Sequence, residues 1–174
     1  MKKCVSAVLC IALALSICTH ATAATPDELW LAAESLREQG IMVGDQTGSL
    51  HLDDSLTRAE LAAILCRIRV NQEHIAAEEA LYARYCTFPD VPDWAQVCVG
   101  YCAFHGLMVG YDTGAFGAGD SVTPATACTV VLRHLGISGW DYETACQTAL
   151  DLNLTTPAAV AAESVTRGDI AVML

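Results

Sequence analysis

The chain has 174 residues, with nine Lys and Arg against twenty Asp and Glu, a net charge of −11. So acidic a surface excludes a nucleic-acid-binding role, which needs a basic footprint. It also argues against adhesion to anionic lipid by general charge.

Residues 1–24 read as a signal peptide. Lys2-Lys3 gives a basic start, Val5 to Ile17 is apolar but short for a membrane span, and Ala21-Thr22-Ala23 offers a cleavage site before Ala24. Both Lys residues lie in that segment, which leaves seven Arg against twenty acids. No later stretch is long and apolar enough to span a bilayer. Six Cys follow residue 24, and an even number in an exported chain suggests disulfides. Cys98 and Cys102 are four apart on one expected helix, and Cys66 and Cys128 sit on apolar faces, so buried thiols are an equal alternative. There is no C-x-x-C and no His at ligand spacing from a Cys, so no metal site is expected.

The first expected helix is 27–39, with Leu29, Ala32, Ala33 and Leu36 as its apolar stripe. Gly40 suits the left-handed residue that stops it. Gly40-Ile41-Met42-Val43-Gly44 leads into a loop whose acids do not fit a calcium site, because Gly48 and Leu50 fall at the wrong positions. Leu56-Thr57-Arg58-Ala59-Glu60 then opens a helix over 57–68. Thr57 and Glu60 have capping-box spacing, and Leu61, Ile64, Leu65 and Ile68 share one face. Residues 69–87 are an insertion, with a helix expected over 73–84 from its strong helix formers.

The unit then returns. Gly106-Leu107-Met108-Val109-Gly110 repeats the first half and Val122-Thr123-Pro124 the second, and Gly106 stands as far before Thr123 as Gly40 does before Thr57. Its helices are expected at 93–105 and 124–135. Pro124 suits the first helical position but removes the Arg of the motif, and Thr126 removes its acid. A shorter third unit follows, with helices at 141–152 and 167–173. Asn153 takes the place of the stop Gly, and Val165-Thr166-Arg167-Gly168-Asp169 is its second half. The units run 25–68, 88–138 and 139–174. None of their helix pairs can bury its apolar face alone, so a mostly α fold around a shared core is expected.

These residues resemble the S-layer homology (SLH) family. Phe88-Pro89-Asp90-Val91 with Trp94-Ala95 matches the opening of that family's repeat. Gly40 to Gly44 and Thr57 to Glu60 match its middle and end. The resemblance implies an all-α, pseudo-threefold module of three tandem repeats, the second and third degenerate. It implies a bacterial cell-wall location and non-covalent binding of an acidic secondary wall polysaccharide.

On that resemblance the ligand-binding residues would be Arg58, Thr57, Glu60, Gly44, Trp30, Asp90, Trp94, Gly110, Arg167 and Asp169. Arg58 is expected to be an exposed N1 residue. Its planar fork suits a carboxylate, the helix N-terminus adds amides, and Trp30 or Trp94 would stack on sugar. An exported scaffold that keeps the fold without binding polymer is the alternative, favoured by the degraded second and third motifs. No catalytic pattern and no cofactor motif occur, so neither an enzyme nor a cofactor is expected.

Overall fold

A computed structural model describes residues 23–69 and 72–174. The expected signal peptide therefore lies almost wholly outside the described residues. The described chain is all-α. It comprises α1 (Pro26–Glu38), α2 (Arg58–Arg69), α3 (Gln72–Tyr85), a 3-10 turn (Asp93–Ala95), α4 (Gln96–Phe104), α5 (Pro124–His134), α6 (Ala145–Asp151), α7 (Pro157–Ala161) and α8 (Arg167–Met173). Among the described residues no helix is long and apolar enough to cross a membrane.

Local chemistry sets the helix starts. Thr57 donates its hydroxyl to Glu60, accepts from the Glu60 amide, and gives its own amide to the same carboxylate. Thr166 and Asp169 build the same capping box before α8, and Thr25 with Glu28 builds a third before α1. Thr123 caps α5 by accepting from the Thr126 amide, and Pro124 follows it at N1. The stops are left-handed as expected, with φ of 71° at Gly40, 64° at Gly106 and 55° at Asn153.

The three residues that precede these capped threonines meet at the centre of the molecule. Leu56 N donates to Val165 O (3.1 Å), Val165 N to Val122 O (2.9 Å), and Val122 N to Leu56 O (2.8 Å). The cycle closes on itself and satisfies three amides and three carbonyls that no helix provides for. All three side chains are fully buried, and Leu61, Ala127 and Ile170, one turn into α2, α5 and α8, are buried around them. Each large apolar side chain in this hub contributes about 1.5–3 kcal/mol by leaving water.

Two expected helices are corrected, and one helix is added. The helix expected at 93–105 is a 3-10 turn followed by α4. The one expected at 141–152 is confined to Ala145–Asp151, because Asp141 and Thr144 hold a hydrogen-bonded turn ahead of it. The short helix α7 is an addition to the elements expected from the sequence. In the insertion, α3 packs against α4 so closely that a Cβ on Gly100 would lie 1.9 Å from Tyr82 O.

Candidate functional site

Arg58 and Arg167 occupy the first turns of α2 and α8, directly after the capped threonines. Arg58 Nε donates to Phe116 O (2.9 Å) and Nη2 to Val109 O (2.8 Å). Arg167 Nε donates to Leu50 O (2.8 Å) and Nη2 to Val43 O (3.0 Å). Val43 and Leu50 hold the same places in the loop after Gly40 that Val109 and Phe116 hold in the loop after Gly106. The two forks therefore grip the same two carbonyls of two different Gly-containing loops. Each Arg serves a neighbouring segment and not its own. Arg167 Nη1 also reaches Glu60 Oε1 at 3.3 Å.

This corrects the expectation that Arg58 is exposed. It is 7% exposed, with its guanidinium carbon 4.9 Å from the Tyr111 ring centroid and 4.8 Å from that of Phe116. The loop from the second segment folds over it, which its position at N1 could not reveal. Pro124 leaves the start of α5 without such a fork.

Asp90 is engaged within the chain. Its carboxylate accepts from the amides of Phe116 (2.8 Å), Gly117 (2.7 Å) and Ala118 (3.0 Å). Those bonds, led by Phe116, hold its pKa below the usual carboxylate range. Asp90 thus shapes the loop whose carbonyl Arg58 holds. Gly44 and Gly110 are needed for tight turns. A Cβ on Gly44 would lie 2.8 Å from Ser49 O, and one on Gly110 would lie 2.3 Å from Phe88 Cε1.

Two grooves contain these residues. One, of about 330 Å³, gathers Gly44, Glu60 and Arg167 of the expected set, with Asp45, His51 and Asp54. Three carboxylates face its one Arg. The other, of about 210 Å³, has no acid in its lining. Arg58 and Arg133 bring two guanidiniums to it, Tyr111 and Tyr142 bring two exposed rings, and Gly110 and Thr129 complete the polar side. Neither Arg makes an ion pair among the described residues. Thr129 Oγ1 is buried with no hydrogen-bond partner. Such a hydroxyl in a helix usually bonds back to a carbonyl one turn earlier; here Thr129 lines the groove while its oxygen stays buried and unpartnered among the described residues.

The remaining expected residues are not brought together there. Trp30, 55% exposed, lines a third and larger groove of about 840 Å³ with Glu34, Asp53 and Asp54. Trp94 is 60% exposed and borders none of these three grooves. Thr57 and Asp169 are occupied in their capping boxes. Sequence reasoning missed Arg133, Thr129, Tyr111 and Tyr142. A signal for Arg133 was present: it stands in the second unit where Arg67 stands in the first, and both donate Nη1 to equivalent carbonyls, Leu107 O and Ile41 O, at 3.3 Å. Thr129 had no comparable signal, because the equivalent position of the first unit is Ala63.

No family model matches the chain. It is similar to the middle cell wall protein of Brevibacillus brevis, 28% identical over the full length of this chain and 18% of that protein. It is also similar to the surface layer protein of Brevibacillus choshinensis, 31% identical over 78% of this chain and 13% of that protein. A third relative is cell surface glycoprotein 1 of Acetivibrio thermocellus, 31% identical over 53% of this chain and 4% of that protein. The chain thus spans less than a fifth of the length of these curated relatives.

Proposed function

We propose that the chain is a bacterial cell-surface module that holds a protein on the wall by binding an acidic wall polysaccharide, with no catalytic role. The names of the three relatives support the cell-wall location, and the resemblance of the Gly-loop and Thr-Arg-Ala-Glu motifs supports an SLH-type repeat. The observation that carries the binding reading is the acid-free groove between Arg58 and Arg133. In a chain of net charge −11 an anionic polymer is repelled at long range, so its attraction must be local. Two unpaired guanidiniums supply that, each with nitrogens left over for a carboxylate. Tyr111 and Tyr142 offer flat apolar faces to sugar rings.

The alternative, a scaffold without polymer binding, is favoured by one fact: Arg58 already spends two donors inside the chain. Arg133 separates the readings, because it is more exposed and makes a single long bond to Leu107 O. Co-sedimentation of the chain with isolated wall sacculi should be strong for wild type. Arg133→Ala should lose binding by about tenfold, the value of one charge-assisted hydrogen bond. Equal sedimentation of variant and wild type would favour the scaffold reading.

A further inference from the structure

The two Gly-containing loops are built alike. Asp45 N donates to Ser49 O, Gly48 N to Asp45 O and Asp54 N to His51 O, and Tyr111 N, Gly114 N and Asp120 N make the matching bonds to Ala115 O, Tyr111 O and Gly117 O. Both loops turn through left-handed residues at the same places, with φ of 84° at Gly48 and Gly114, 50° at His51 and 72° at Gly117. They differ in what the next amides do. In the second loop the amides of Phe116, Gly117 and Ala118 converge on the Asp90 carboxylate at 2.8, 2.7 and 3.0 Å. The same places in the first loop are Leu50, His51 and Leu52, and none of their amides meets an acceptor among the described residues. The sequence gives the cause: Ala24 stands as far before Gly40 as Asp90 does before Gly106, and it has no carboxylate. His51 and Leu52 are correspondingly more exposed than Gly117 and Ala118. All three residues line the groove of about 840 Å³ that also contains Trp30.

We propose that the amides of Leu50, His51 and Leu52 form a carboxylate-binding site, and that its ligand is an acidic sugar whose ring lies against Trp30. The sugar half of this rests on the wall-polymer reading above; the carboxylate half rests on what Asp90 does in the matching loop. Successive backbone amides aimed at one point make a concavity for an anion, and bonds to an ionised acceptor are the stronger kind. Trp30, 55% exposed, adds a flat apolar face for a sugar ring. The acids in the lining do not close the site to an anion. Glu34 is paired with Arg37, whose Nε donates to Glu34 Oε2 at 2.8 Å. Asp54 holds the place of Asp120, and the second loop keeps its carboxylate with that acid present. Asp53 holds the place of Gly119 and makes no ion pair among the described residues, so its charge works against the ligand.

The test is amide NMR of the folded chain titrated with sodium glucuronate, with sodium acetate and methyl glucoside as partial probes. Glucuronate should shift the amides of Leu50, His51 and Leu52 saturably. Acetate should shift the same three with several-fold weaker affinity, and methyl glucoside should leave them in place. Asp53→Asn should tighten glucuronate by about twofold, because a like charge leaves the groove; a variant that merely misfolds does not gain affinity. Glucuronate shifts confined to the amides around Arg58 and Tyr111, or equal shifts with methyl glucoside, would overturn the carboxylate site. Equal affinity for acetate and glucuronate would overturn the sugar. If wild type fails to sediment with sacculi while glucuronate still shifts the three amides, the polymer reading falls and the carboxylate site stands.

Discussion

Arg167 and Glu60 form an ion pair at 3.3 Å across 107 positions of sequence, joining the start of α8 to the start of α2. Glu60 has two duties: one oxygen completes the capping box with Thr57, and the other receives Arg167. A motif read as four adjacent letters is therefore also a clasp between distant segments.

Arg58→Ala should destabilise the fold by about 2–4 kcal/mol, because two carbonyls lose a charged donor in a nearly closed site and two ring contacts vanish. Urea unfolding followed by circular dichroism measures it. A loss below about 0.5 kcal/mol would mean the buried fork contributes nothing. Arg167→Ala should cost less, about 1–2 kcal/mol, since its side chain retains 12% exposure and water can replace it.

Thr129→Val should leave stability unchanged or raise it by about 1 kcal/mol, because it removes a buried hydroxyl that has no partner. Urea unfolding followed by circular dichroism measures it. A loss above about 1 kcal/mol would mean that the hydroxyl has a partner in the folded protein.

Gly100→Ala places a methyl group 1.9 Å from Tyr82 O, a contact that requires the backbone of α3 or α4 to shift. A loss of about 3 kcal/mol or more is expected, concentrated in α3. Hydrogen exchange should show α3 amides deprotected while those of α2 and α5 remain protected. Uniform protection in the variant would contradict the close approach.

Asp90 gives the pH dependence. Its folded pKa is depressed below the unfolded value of about 3.9, so its contribution is full above that value and is lost as pH falls through the folded pKa. Acid unfolding of the wild type should steepen below about pH 4. Asp90→Asn should flatten that limb and be less stable at pH 7, since a neutral amide cannot accept three N–H bonds as a carboxylate does. Parallel pH–stability curves for the two proteins would count against this.

The sequence disclosed what is local. Thr57 with Glu60, Thr166 with Asp169, and the stops at Gly40, Gly106 and Asn153 all act within a few residues, so spacing suffices to find them. It could not disclose what crosses between segments. Arg58 looks exposed because every N1 residue does until another loop is laid over it. Asp90 matches a family pattern, but its three amide partners lie 26 to 28 residues away. The groove is harder still: Arg58, Arg133 and Tyr142 come from three segments, and only the fold makes them neighbours.

The closed cycle of Leu56, Val122 and Val165 also sets the order in which the core can be completed. Leu56 N finds its acceptor in the third unit, so the hub cannot close until Val165 has been synthesised and is free to move. Until then α2 and α5 keep apolar faces without their full partners. A chain built this way completes its core only when the segment holding Val165 joins the two that precede it.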